Sequence, residues 1–377
     1  MLSDLDLLRR LVAFPTVSAK SNLALVDFVC EYAEAAGGRC ERIPSPNGKK
    51  ANLVVRFGPD ADDRSGLVLC GHMDVVPAQE KGWLSNPFKL REENGRLFAR
   101  GACDMKGFLA VALNLACEAR GLARPLVLLF TYDEEVGTVG ARDLVERWQD
   151  AAALPRHTVV GEPTELRVVR MHKGHVRVRI TVHGVGAHSA YPHLGKNAIE
   201  ASARVLASLR GLRHRFERDG GPNAAFFPDV PFVPLNVGTI RGGVAANVVP
   251  DRCVIELGMR PLPGMEGADA VAAVREAVGN AAGDAPWELT VLAESPPLLA
   301  GEDSALHASL CAAVGQEGGL GVSYATDGGW LSRAGLECVV WGPGSIAVAH
   351  KPNEYVPAQD LETAKSVLHT VTVDLLG

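Results

Sequence analysis

The sequence predicts an α/β fold with a mostly parallel central sheet, interrupted by a smaller α+β domain of ferredoxin-like order. Three observations carry this. Helical and strand-like segments alternate over the first 170 residues. At about His175 the pattern changes to an apolar/polar alternation of period two. After Pro296-Pro297 the helix/strand alternation returns and runs to the C-terminus. The reading is one α/β domain, residues 1–174 plus 295–377, holding an insert at 175–294.

Ser3 caps an amphipathic helix over the Leu-spaced start, which ends before Pro15. Residues 23–36 have helical spacing and stop at Gly37-Gly38. Segments 52–57 and 66–69 read as strands, 107–120 as a helix ended by Gly121, and 126–132 as a strand. The apolar run 126–130 suits full burial, and 158–160 is another short apolar strand. In the insert, 176–183 sets Val176, Val178, Ile180 and Val182 on one face, with Arg177, Arg179 and Thr181 on the other. That is a strand wet on one side. A helix at 197–212, strands at 235–240 and 253–260, a helix at 268–281 and a strand at 287–293 complete a β-α-β-β-α-β order.

Composition excludes several classes. The chain has 377 residues, 38 Lys+Arg against 44 Asp+Glu and a net charge of −6, so no nucleic-acid partner is expected. With 47% hydrophobic and 22% charged residues, it is globular rather than disordered. The start carries acids where a secretory signal carries basic residues. No stretch approaches the roughly 18 apolar residues of a membrane span, so no membrane partner is expected either. Eight scattered cysteines without a Cys-x-x-Cys pair read as reduced thiols in a cytoplasm.

Common catalytic signatures are missing: no His-Glu-x-x-His, no Gly-x-Ser-x-Gly and no phosphate-binding loop. What remains is a set of acids and histidines placed where strands end. His72 and Asp74 close one strand; Asp104 lies in a Gly-bracketed loop that opens a helix. Asp133-Glu134-Glu135 ends the most hydrophobic strand, Glu162 ends another, and His350 begins the motif His350-Lys351-Pro352-Asn353-Glu354. Singly, each has an ordinary structural reading. Together they do not, because carboxylates behind apolar strands are costly unless paired or metal-bound. Ligands also collect at the carboxyl ends of strands in α/β sheets. Two histidines with three or four carboxylates suit a pair of divalent metals, zinc most naturally.

The motifs around Gly71-His72-Met73-Asp74, Asp104, Asp133-Glu134-Glu135, Gly161-Glu162-Pro163-Thr164 and His350-Lys351-Pro352-Asn353-Glu354 resemble the acetylornithine deacetylase and succinyl-diaminopimelate desuccinylase family. These are di-zinc amidohydrolases related to carboxypeptidases and dipeptidases, and the resemblance spans almost the whole chain in order. It implies a zinc-peptidase-like catalytic domain and an inserted lid that mediates a homodimer. Asp104 would bridge two Zn²⁺ per subunit, with His72 and Glu162 on one ion and Glu135 and His350 on the other; Co²⁺ would substitute. Asp74 would orient His72, Glu134 would act as general base, and the peptide bond after Asp104 would be cis. The lid's His188 would donate to the oxyanion, often from the partner subunit. Asn247 and Arg260 would grip the substrate carboxylate, arginine being its best bidentate partner. The Gly342-Pro343-Gly344 loop is expected to offer it backbone N–H groups.

Arg170-Met171-His172-Lys173-Gly174 is closest to the acetylornithine branch. The expected reaction is therefore hydrolysis of an N-acyl-L-amino acid, N-acetylornithine first, within arginine biosynthesis. Succinyl-diaminopimelate or a dipeptide is the alternative substrate. A metal-stabilised binding module is the non-enzymatic alternative, and the presence of Glu134 speaks against it.

Overall fold

The most apolar runs of the chain lie side by side. Leu67–His72 and Leu126–Thr131 are buried at every position and pair in parallel, His72 opposite Thr131. The computed structural model describes residues 1–60 and 63–377. They fall into two units: Met1–Met171 with Leu299–Leu320 and Thr326–Gly377, and His172–Leu298 with Gly321–Ala325. The sequence reading set the boundaries at 174/175 and 294/295, within four residues of these. It did not anticipate that Gly321–Ala325 joins the second unit.

In the larger unit the sheet runs Arg39–Pro44, Ala51–Phe57, Leu126–Thr131, Leu67–His72, His157–Val160, Glu337–Val340, Val169–His172. Pairing is parallel among the middle four strands and antiparallel on either side. The sheet is thus mixed, with the expected parallel order confined to its centre. Parallel neighbours need long crossovers, whereas the outer Arg39–Pro44 and Ala51–Phe57 strands are joined by a short turn. Helix Asp4–Val12 starts as the sequence predicts, the Ser3 side chain accepting from the Asp6 N–H at 3.1 Å. Helix Gly107–Glu118 is buried from Gly107 to Cys117 and packs between Asp4–Val12 and the C-terminal helix Ala358–Leu376. Such all-round burial explains why its apolar positions show no single stripe.

Among the elements that the sequence reading did not name are an edge strand, a helix and a small hairpin sheet. Arg39–Pro44 has no fully buried position, as suits a charged sheet edge. Helix Val139–Arg147 begins after a left-handed Thr138 without a side-chain cap. The hairpin Arg91–Glu93/Arg96–Phe98 takes Tyr355–Pro357 as a third strand.

The second unit is a four-stranded antiparallel sheet in the order Leu235–Gly242, Arg252–Met259, His175–His183, Trp287–Ser295. Helices Ala198–Asp219 and Gly267–Ala282 complete the ferredoxin-like order. Arg177 and Arg179 are exposed as expected, and Arg179 meets Glu256 on the next strand at 2.6 Å; Thr181, by contrast, is buried. The first helix runs past residue 212 because nothing stops it before Gly220 (φ +64°). Among the described residues no helix is long and apolar enough to cross a membrane.

One buried side chain ties this scaffold to the functional loops. Asn52 donates to the Gly140 carbonyl at 2.8 Å and accepts the Tyr132 N–H at 3.1 Å, closing the turn that carries residues 133–135. Gly140 has no room for a Cβ against the Tyr132 carbonyl. Asn52→Ala leaves both backbone groups without that partner and is expected to cost about 1–3 kcal/mol. A lowered midpoint of thermal unfolding measures it.

Candidate metal centre

Each of the strands Leu67–His72, Leu126–Thr131 and His157–Val160 delivers acids or a histidine at or just beyond its C-terminal end. His72 closes the first, Glu134 and Glu135 follow the second, and Glu162 follows the third. Asp104 lies in the turn Ala102–Lys106 that opens the buried helix, and its peptide bond to Met105 is cis. His350 (φ +61°) sits in the loop before Tyr355–Pro357.

These residues converge. His72 Nε2 lies 2.9 Å from Asp104 Oδ1, and His350 Nε2 lies 3.2 Å from Asp104 Oδ2 and 2.9 Å from Glu135 Oε2. Ligand atoms of His72, Asp104 and Glu162 fall within 4.8 Å of one another, as do those of Asp104, Glu135 and His350. Asp104 thus belongs to two triads, one oxygen turned to each histidine. The first triad is buried; the second opens outward, the His350 side chain being 47% exposed against 1% for His72.

The electrostatics of this cluster are set by burial and by the crowding of its acids. Burial of its carboxylate, and then the charge of Glu162, push Glu134 well above the usual carboxylate range. Burial and then Asp104 do the same to Glu162 and raise Glu135. Burial opposes ionisation of Asp104 too, yet hydrogen bonds from His350 and His72 hold it below the ordinary range. The bond to Asp104, then that to Glu135, lifts His350 to about 10. Burial would lower His72, but Asp104 raises it well above its usual value. Two nitrogen and three carboxylate donors fit a pair of divalent cations of zinc's type.

Adjacent acids are sent different ways by the backbone. Asp133 adopts a left-handed conformation (φ +53°) and turns to Lys50, which also donates to the Ser18 carbonyl. The N–H groups of Glu134 and Glu135 donate to Asp74 at 3.0 and 3.4 Å, and Ser18 Oγ donates to it at 2.7 Å. Asp74 touches His72 as well, through its main chain. His72 Nδ1 meets the Asp74 backbone carbonyl at 2.9 Å, while the nearer carboxylate oxygen stands 3.7 Å away. Its carbonyl thus meets the imidazole, while its carboxylate holds the 134–135 backbone. Gly344 departs from expectation: its N–H donates to Asp360 Oδ2 at 3.1 Å and is not free for a substrate.

In the second unit, His188 is exposed and its Nδ1 accepts the Ala190 N–H at 3.1 Å, which leaves Nε2 as the donor nitrogen. Asn247 is close to it, its carbonyl accepting the Ser189 N–H at 3.0 Å. Arg260 is not. It follows Met259, which pairs with Val176, whereas His188 follows the far end of that strand, where His183 pairs with Arg252. Seven strand residues at about 3.3 Å each put roughly 23 Å between those ends.

Two further residues near the cluster were not named as site residues in the sequence reading. Ser18 gives no signal, being one hydroxyl in a short loop. Asp327 is buried, accepts from Thr131 Oγ1 at 2.5 Å and leaves its other oxygen without a hydrogen-bond partner. Burial raises it to about 6. Its segment, Ala325-Thr326-Asp327-Gly328-Gly329, resembles the aminoacylase and desuccinylase pattern in sequence, but the acid itself was given no role.

Residues 68–373 match peptidase family M20/M25/M40. Acetylornithine deacetylase of Myxococcus xanthus is 37% identical, over 98% of this chain and 97% of that protein. The M20 family metallo-carboxypeptidase Sso-CP2 from Sulfolobus solfataricus superposes with a TM-score of 0.78 at 19% identity, covering 99% of both chains. A dinuclear metal binding peptidase from the M20 family of Bacillus subtilis superposes with a TM-score of 0.69 at 14% identity, over 99% of this chain and 97% of that one.

Because His350 stands at about 10 in the metal-free protein, an ion that takes its Nε2 at neutral pH displaces a proton. The sign follows: apparent affinity for Co²⁺ rises with pH below that value, by up to about tenfold per unit for each proton displaced. Calorimetric titration at pH 6.5 and 8, in buffers of different ionisation enthalpy, reads the released protons directly.

Proposed function

The chain belongs to peptidase family M20/M25/M40 and is a metal-dependent amidohydrolase, and we propose that it cleaves the amide of an N-acyl-L-amino acid, N-acetylornithine first, to acetate and ornithine. The observation that carries this reading is the pair of triads sharing Asp104, with Glu134 beside them, in a chain similar over its whole length to an acetylornithine deacetylase. His72, Asp104 and Glu162 would hold one divalent cation, and Asp104, Glu135 and His350 the other; Zn²⁺ is the natural choice and Co²⁺ a substitute. Bound there, such cations supply Lewis acidity and lower the pKa of water to about 7.

The chain's own groups do the rest. Glu134 accepts a proton from the attacking water and returns it to the amine nitrogen as the C–N bond breaks. Its place is set by its own N–H, held by Asp74. The Nε2–H of His188 donates to the oxyanion of the tetrahedral intermediate. Asn247 and Arg260 take the substrate carboxylate. The length of strand between His188 with Asn247 and Arg260 supports a homodimer in which one subunit's His188 and Asn247 serve the partner's centre. Eight free cysteines agree with a reducing cytoplasm, and a role in arginine biosynthesis follows from the substrate.

Glu134→Gln is expected to keep its metal and lose about 10²–10⁴-fold in turnover. A binding module would keep its function after that change. Rates on N-acetylornithine, N-succinyl-diaminopimelate and dipeptides, with Zn²⁺ or Co²⁺ added, test the substrate; equal rates across them would sink the acetylornithine preference. Mixing inactive His188→Ala with inactive Glu134→Gln tests the shared centre. Activity returns if His188 acts across the dimer, because one centre per heterodimer is then intact, and stays absent if it acts within its own subunit.

A further inference from the structure

The motif His350-Lys351-Pro352-Asn353-Glu354 does more than supply one ligand. Asn353 accepts the Leu84 N–H at 2.9 Å and donates to the Gly82 carbonyl at 2.8 Å, fastening the segment to a neighbouring loop. Glu354 reaches the other way and is 1% exposed. Its Oε1 accepts the N–H groups of Cys103 and Asp104 at 3.0 and 3.1 Å, and its Oε2 accepts from Arg100 Nη1 at 2.7 Å. Its backbone carbonyl accepts the Ala99 N–H at 3.1 Å. Arg100 is equally buried. Its Nη2 donates to the Pro77 carbonyl at 3.1 Å and to Glu80 at 2.9 Å, and its guanidinium lies 5.2 Å over the Trp83 ring.

Both oxygens of a buried carboxylate are therefore engaged, one by a fixed cation and one by the backbone of the shared aspartate. A carboxylate that must turn one oxygen to His72 and the other to His350 tolerates little rotation, and groups behind metal ligands commonly set such orientation. We propose that Glu354, held by Arg100, is a positioning residue that fixes the Cys103–Asp104 backbone so that Asp104 serves both triads at once. This rests on reading those triads as the metal centre. Because His350 lies four residues earlier in the same fastened segment, the clamp also sets the distance between the shared aspartate and that histidine.

The test uses the full chain and Co²⁺ as probe. In Glu354→Gln the amide oxygen still accepts the two N–H groups, but its NH₂ faces Arg100. Expected are a Co²⁺ affinity about 10–100-fold weaker, an altered visible absorption band and a kcat lowered by a similar factor with KM little changed. The double variant Arg100→Gln/Glu354→Gln removes the uncompensated guanidinium and should fold while keeping the weakened affinity. Native Co²⁺ affinity and spectrum in either folded variant would overturn the proposal. Loss of the metal-free fold in both would assign Glu354 to the scaffold alone and overturn it equally. If the parent chain itself binds no Co²⁺ at these residues, the metal-centre reading fails instead, and the two failures are thereby told apart.

Discussion

One carboxylate split between two imidazoles organises the larger unit. Asp104 can turn an oxygen to each histidine only if its backbone is fixed and both histidines arrive from opposite sides. His72 arrives rigidly, at the end of a strand buried on both faces. His350 arrives on a loop and needs the fastening of its own segment. Around them, Glu135 and Glu162 are buried far enough that their charge is costly without a compensating cation. The parallel heart of the sheet serves this arrangement, since it places several strand ends on one edge, where apolar runs stop and polar side chains begin.

Much of this was legible because it is local. Apolar runs such as Leu126–Thr131 announce buried strands, and the alternation in His175–His183 announces a half-wet one. Acids directly behind such runs demand an explanation, so the residues that converge on Asp104 could be named from residue type and place. What stayed hidden depends on the fold's closure. Nothing near Asp74 says that its carboxylate turns from His72 to the 134–135 backbone; that follows from a turn closed by Asn52, a distant strand residue. The Gly344 amide looked available until the C-terminal helix brought Asp360 to it. Arg39–Pro44 went unread because an edge strand with no buried face shows no period.

The second unit obeys a different constraint. Its sheet has one face against two helices, so alternation survives along His175–His183 and in the cross-strand pair of Arg179 with Glu256. Its pairing with Arg252–Met259 spaces the functional candidates apart, His188 and Asn247 beyond one end of the pair and Arg260 at the other.

The residues of the two triads enter the chain at 72, 104, 135, 162 and 350, and this order has a consequence for biosynthesis. A ribosome-bound chain that has emerged only as far as the insert already carries one triad in full, but not the histidine that completes the other. Closing so long a loop is slow, because its entropy is lost before its contacts form. The triad of Asp104, Glu135 and His350 can therefore form only once the C-terminal segment has docked.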